Sequence, residues 1–267
     1  MKIEKLKIKI LYNNNGDYMK IDRENILYGL EKEDKMLISN LLDKYLLYKN
    51  KGISSTSNFL NPREIELWKR KVGNTNIVYQ IISVFPDSEK KLICFGDDSD
   101  KLTIYLGKTS ARVRHKDILG SLFNLGLSYD TIGDIYVCSD YFYLVNLTRL
   151  NTFIENNLTK IGNSIVKLKI VPEIVLDHDL FKRREVIVGS MRLDIIVSKL
   201  GNFSRSISQD KITSGEVMVN YMISYKNILL LNEGDILSIR RVGKFKVGKI
   251  IASTKKEKYI LEIFEYC

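Results

Sequence analysis

The chain has little of what enzymes use for chemistry at neutral pH. Its 267 residues include two histidines, His115 and His178, and three cysteines, Cys94, Cys138 and Cys267. No two cysteines stand at metal-ligand spacing, and none is flanked by a histidine that would activate its thiol. Free thiols in a reducing cytoplasm are the expected state. No HExxH, CxxC, Walker loop or GxGxxG occurs. No apolar run approaches the length of a membrane span, and the start MKIEKLKIKI lacks the apolar core and cleavage site of a signal peptide. A soluble cytoplasmic protein with no membrane partner is therefore expected. Two acidic clusters invite a metal reading. In Asp177-His178-Asp179 three adjacent side chains cannot all point inward, and Asp97, Asp98 and Asp100 lack the later Gly and Glu of a calcium loop. Both read as polar loops, so no cofactor, metal or catalytic residue is expected.

What the chain does have is positive charge. Lys and Arg number 42 against 32 Asp and Glu, a net charge of +10. That favours a polyanionic partner, but net charge bears on non-specific binding and not on fold. Lys, Ile and Asn are abundant throughout, so local clusters carry more weight than the total. With 45% hydrophobic residues the chain can bury a sizeable core, and its length fits one to three domains.

The expected fold class is α+β in three parts. Residues 1–73 read as a small, mostly helical N-terminal domain. Glu31–Asn50 carries Leu37, Leu41, Leu42, Tyr45 and Leu46 on one side. Asn61, Pro62 and Glu64 form an N-cap, a first-turn proline and a capping box for the next helix. Residues 74–175 read as strand, strand, strand, helix, strand, strand, helix, strand, with RRM-like or ferredoxin-like topology as the expectation. Residues 176–188 read as a linker, and 189–267 as a C-terminal domain with an extension. The linker holds Arg183 and Arg184 in a basic run, which is either a solvated connector or an accessory phosphate contact. Arg112, Arg114, His115 and Lys116 form a second basic cluster, open to the same two readings.

The last third is the most informative. Leu193, Ile196, Val197 and Leu200 repeat at i, i+3, i+4 and i+7. Gly201 reads as the left-handed end of that helix, and Ser204 as the N-cap of the next. Strands follow at 216–220 and 236–241, with Gly234-Asp235 as a turn. RLD at 192–194, SRS at 204–206, I-x-x-G-x-V-x-V-N from Ile212 to Asn220 and GDILSI at 234–239 together resemble the S4 RNA-binding domain (αL-like). Ser208 stands where that family has a small Ala, and Tyr221 where it has Gly, a position of positive φ. The resemblance implies that Arg192, Ser204, Arg205, Ser208, Lys211, Asn220 and Lys226 face RNA. Ten Lys or Arg against five Asp or Glu lie between Gly189 and Lys249, and an arginine fork suits phosphate oxygens.

Upstream segments extend the likeness. FLNPREIELW (59–68), HKDILGSLFNLGLSYDTIGDIYV (115–137) and FIENNLTKIG (153–162) precede the S4 segment in fixed order. Together they resemble the YlmH family of bacterial S4 proteins. In the middle stretch Gly120 reads as a close helix approach, Gly126 as a C-cap and Gly133-Asp134 as a turn. The resemblance implies a non-enzymatic, monomeric, ribosome-associated factor that binds structured RNA (23S rRNA and tRNA) on the large subunit in ribosome quality control. The alternative is an rRNA or tRNA modifying enzyme of the pseudouridine-synthase kind, with the S4 domain as its anchor. Asp194 is expected to belong to the S4 segment's own first helix and not to be that enzyme's catalytic RLD aspartate, since no second RLD follows and about 70 residues are few for a catalytic domain.

Overall fold

A computed structural model describes residues 5–6, 22–85, 88–97, 102–138, 140–176, 181–254 and 257–266. Asp98, Asp100, Cys267 and the Asp177-His178-Asp179 cluster lie outside them. The fold is α+β, in two units, Met1–Asp177 and His178–Cys267.

The first unit contains β1 (Lys5–Leu6), α1 (Arg23–Leu27), α2 (Lys32–Lys51), β2 (Ser55–Thr56), α3 (Pro62–Val72), β3 (Gln80–Ile82), β4 (Leu92–Phe95), β5 (Leu102–Thr109), α4 (His115–Asn124), β6 (Ile132–Val137), β7 (Tyr141–Leu147), α5 (Asn151–Asn157), β8 (Lys160–Ile161) and β9 (Ser164–Val171). The helix starts follow local chemistry. The Asn61 side chain accepts the Glu64 N–H at 3.0 Å, and Glu64 accepts the Asn61 N–H at 2.8 Å, which closes the capping box ahead of α3. Gly52, at φ 66°, ends α2 in the left-handed region.

Two antiparallel sheets form this unit, one in the order β1-β3-β4-β2 and one in the order β6-β7-β5-β9-β8. Without β8, the second has a β-α-β-β-α-β chain order, with the fourth strand beside the first and the third between first and second. That is the ferredoxin-like arrangement. Strand alternation then builds layers. Ile81, Ile93 and Phe95 of the first sheet join Leu41, Leu42, Ile65 and Trp68 of α2 and α3 in one core. Their neighbours Ile82, Leu92 and Cys94 join Phe59, Ile104, Tyr143, Val145 and Leu147 in a second core, between the two sheets. The far face of the second sheet packs Tyr105, Phe142 and Leu144 on Ile118 and Leu122 of α4 and Ile154 of α5. The unit is thus helix, sheet, sheet, helix. Full burial of a Leu, Ile or Val contributes roughly 1.5–3 kcal/mol, so the inter-sheet core is a major part of its stability.

This layering corrects the domain boundary at 73/74. Strands β3 and β4 lie C-terminal to that line, yet they share a core with α2 and α3. The mostly helical N-terminal part includes a sheet, two of whose four strands, β3 and β4, come after its helices in the chain. Two glycine readings change as well. A Cβ on Gly133 would fall 2.5 Å from the Val145 carbonyl oxygen and 2.7 Å from the Phe59 ring, so this residue permits close approach inside β6 instead of making a turn. A Cβ on Gly120 would meet nothing within 4 Å, so no close helix approach depends on it.

The second unit contains β10 (Phe181–Val188), α6 (Leu193–Gly201), α7 (Arg205–Thr213), β11 (Val217–Val219), β12 (Met222–Ile223), β13 (Ile236–Ile239), β14 (Gly243–Ser253) and β15 (Tyr259–Tyr266). Its sheet is antiparallel, in the order β10-β15-β14-β13-β11-β12. Leu193, Ile196, Val197 and Leu200 of α6 pack with Ile212, Leu237, Phe245, Val247, Leu261 and Ile263. The expected linker at 176–188 is corrected here. Phe181–Val188 is an edge strand paired residue by residue with β15, from Phe181↔Tyr266 to Val188↔Tyr259. The end of α6 differs too. Asn202, at φ 53°, is the left-handed cap, while Gly201 is the last helical residue and leaves room for the Phe203 ring, which a Cβ there would meet at 2.1 Å.

Candidate nucleic-acid interface

Asp194 organises the N-terminal ends of α6 and α7. It sits in the first turn of α6 with no solvent exposure. Arg192 donates to it twice, Nε to Oδ1 at 3.1 Å and Nη2 to Oδ2 at 3.0 Å. Arg205 Nε and Gln209 Nε2, both from α7, donate to Oδ2 at 3.1 and 3.0 Å. Burial alone would raise this carboxyl. The hydrogen bonds from Arg192, Gln209 and Arg205 outweigh it and hold the group below the usual carboxylate range. Asp194 is therefore an anion at neutral pH, and it fixes two guanidiniums from different helices.

Those arginines are not consumed by the contact. Among the described residues Arg205 uses only Nε in this contact, and it keeps 58% of its side chain exposed, which leaves both Nη groups to an outside acceptor. Arg192 keeps 30% exposure. Ser204 caps α7, its hydroxyl accepting the Ile207 N–H at 3.2 Å, and it is exposed beside Arg205 and Ser206. The start of α7 thus joins a helix N-terminus to a positioned guanidinium, a combination suited to phosphate.

The segment after β12 closes one side. The Asp194 N–H donates to the Asn227 carbonyl at 3.1 Å and the Leu193 N–H to Leu229 at 2.8 Å. This seats Lys226, exposed and one residue from Asn227, next to the start of α6. Arg192, Ser204, Arg205 and Lys226 are thereby brought together. Gln209 belongs with them and was not anticipated from the sequence, because nothing local marks it as a partner of a residue on another helix.

The remaining candidates have other roles. Ser208 is fully buried, its hydroxyl 2.9 Å from the Asp194 carbonyl oxygen and 2.8 Å from that of Arg205, so it locks α7 onto α6 and cannot face RNA. Lys211 pairs with Glu216 at 2.7 Å and lies 5.2 Å over the Phe203 ring. The Asn220 amide donates to Asp235 at 2.8 Å and accepts the Ile236 N–H at 2.9 Å, which ties the hairpin to the turn before β13. Asn220 and Tyr221, at φ 49° and 67°, form the two-residue turn between β11 and β12, and Lys244 lies 4.6 Å over the Tyr221 ring. Arg183 reaches Glu262 at 2.6 Å and Arg184 reaches Glu265 at 2.9 Å, cross-strand pairs within the sheet. Their basic run therefore belongs to a ladder and not to a free connector. Of the upstream basic cluster, Arg114 is held by Asp117 at 3.0 Å, whereas Arg112 is exposed.

Among the described residues no group of three or more His, Cys, Asp or Glu could hold a metal ion, and no helix is long and apolar enough to cross a membrane.

Residues 101–173 match the family model described as "Putative RNA-binding domain in YlmH". Over 247 residues the chain is 25% identical to the ribosome-associated protein quality control protein P2 of Bacillus subtilis (strain 168), an alignment covering 88% of this chain and 96% of that one. It is also similar to the solved structure of the cell division protein ylmH from Streptococcus pneumoniae, with TM-score 0.47 and 18% identity over 54% of this chain and 93% of the other.

Proposed function

We propose that this chain is a member of the YlmH family and a non-enzymatic cytoplasmic protein that docks on structured RNA of the large ribosomal subunit. The observation that carries this reading is the Asp194-centred pair of arginines. A buried anion holds two cations in place ahead of binding, so less side-chain freedom is lost when phosphate arrives. The S4-like C-terminal unit supplies this contact through Arg192, Ser204, Arg205 and Lys226, and it recognises folded RNA by shape and backbone more than by sequence. The partners are 23S rRNA and tRNA, and the setting is ribosome-associated quality control. That setting is supported by the printed name of the Bacillus subtilis relative and by the length of the alignment with it. The chain acts as a monomer.

The test is co-sedimentation of the full chain with purified large ribosomal subunits across a KCl series. With about four to six phosphates neutralised, log affinity falls against log salt with a slope of roughly −3 to −5. The double variant Arg192→Ala/Arg205→Ala binds less tightly and flattens the slope by about 2. A chain that fails to sediment with subunits, or a double variant that sediments like the parent, would overturn the proposal.

A further inference from the structure

RRM-type domains stack bases on the helix-free face of their sheet. In this chain most of that face is closed. Ile104, Tyr143, Val145 and Leu147 lie on it by register, and each is at least 94% buried beneath Phe59, Ile82, Leu92 and Cys94. The matched RNA-binding segment therefore cannot use β6 and β7 as a base platform. The same face remains open along its other edge. Lys108 of β5 stands directly opposite Lys167 of β9, and Lys169 lies two residues further along β9. Lys160 of β8 is opposite Ile165, on the same side again. All four lysines are exposed, as is Ile165, and none has an ion pair among the described residues. Tyr141, half-buried and opposite Lys108, borders the patch on β7.

Like charges directly opposite on neighbouring strands destabilise a sheet. Four unpaired lysines gathered on three adjacent strands, on the open remnant of a face whose other part is core, constitute a site for an extended anion. We infer that Lys108, Lys160, Lys167 and Lys169 form a second RNA contact that takes the sugar–phosphate backbone. This rests on the reading that the chain binds RNA, and it places a contact in the first unit independent of the arginines of the second. Lysine is a mobile point charge, so the patch binds backbone without reading sequence.

The test uses the full chain and a fluorescein-labelled RNA stem-loop, followed by anisotropy across KCl concentrations. Changing all four lysines to Gln lowers affinity by about 10-fold or more near 0.1 M salt and flattens the salt slope by about 3. Changing all four to Arg retains binding. In the unmodified chain, bound RNA shields the four lysines from acetylation by an N-hydroxysuccinimide ester, read by mass spectrometry, while exposed Lys35 on α2 stays reactive. That footprint does not depend on the folding of a variant. Equal acetylation with and without RNA overturns the inference. So does a four-Gln variant that binds like the parent while Arg192→Ala/Arg205→Ala still weakens binding, a result that leaves the C-terminal reading standing. The converse pattern removes the C-terminal contact and keeps this one.

Discussion

The two units present positive charge in opposite ways. At the start of α6 and α7 the cations are arginines, held by a carboxylate with no solvent exposure. On the β5-β9-β8 edge of the first unit's second sheet they are exposed lysines, with Lys108 directly opposite Lys167, and none has an ion pair among the described residues. The first arrangement fixes direction before a ligand arrives. The second accumulates charge and leaves direction to the ligand. Rigid guanidiniums suit one defined phosphate geometry, and flexible ammoniums suit a backbone of variable path. A chain with both can combine registered docking with tolerant attachment.

The contrast predicts which changes harm folding and which harm binding. The largest effect belongs to Asp194→Ala. It removes the acceptor shared by Arg192, Arg205 and Gln209 and leaves two cations facing each other. The C-terminal unit should lose about 2–4 kcal/mol, somewhat less than a fully buried pair would lose because both guanidiniums reach water. A lower urea midpoint by circular dichroism is the readout, and an unchanged midpoint would show that the carboxylate organises nothing. Next is Arg205→Ala, expected to weaken RNA binding by about 1–3 kcal/mol while changing stability by only about 0–1 kcal/mol. A loss of stability as large as the loss of binding would make this arginine structural.

Acidity sharpens the comparison. The depressed Asp194 group contributes stability that is present above the ordinary carboxylate pKa of about 4 and lost as pH falls through its lower folded value, so acid should loosen the C-terminal unit. The first unit holds a carboxylate with the opposite shift. Burial first, then nearby Glu89, pushes Asp134 up to about 7, with the Tyr136 hydroxyl 3.2 Å away. Its contribution is fully present below about pH 4 and is lost as pH rises through about 7. Asp134→Asn should therefore raise the Tm relative to the parent at pH 8 and leave it nearly unchanged at about pH 3.5, below the unfolded carboxylate pKa. Calorimetry at the two pH values checks this, and an equal gain at the lower pH would contradict it. The smallest effect is Lys108→Gln, which relieves cross-strand repulsion and should stabilise the first unit by about 0.2–1 kcal/mol at low salt. If stability falls instead, Lys108 makes contacts that the register does not reveal.

Local chemistry was legible in the sequence wherever cause and effect lie within a few residues. The Asn61 capping box, the Ser204 cap and the apolar stripe of α6 all form as the spacing dictates. So does the positive φ at Tyr221, where the side chain is steadied by Lys244. What escaped was pairing across long separations. Arg183 and Arg184 read as a free basic run because their glutamates lie about eighty residues later, at 262 and 265. Ser208 has the composition of a surface residue, and only the crossing of α7 on α6 buries it. The same blindness put β3 and β4 in the wrong domain, since one face of each strand serves the helices and the other serves the second sheet. For the candidate interface, the sequence pointed to the starts of α6 and α7, where the structure brings Arg192 and Arg205 onto one carboxylate, and missed Gln209, which donates to the same group.

The inter-sheet core has a practical corollary for dissecting this molecule. A fragment cut to the matched stretch, residues 101–173, would expose Ile104, Tyr143, Val145 and Leu147 to water on the face of the sheet that the other sheet covers. Such a piece should aggregate or recruit a surrogate cover, and its RNA affinity would then report on an artificial surface. Deletion studies that aim to isolate this module must keep the strands from Ser55 to Phe95 attached.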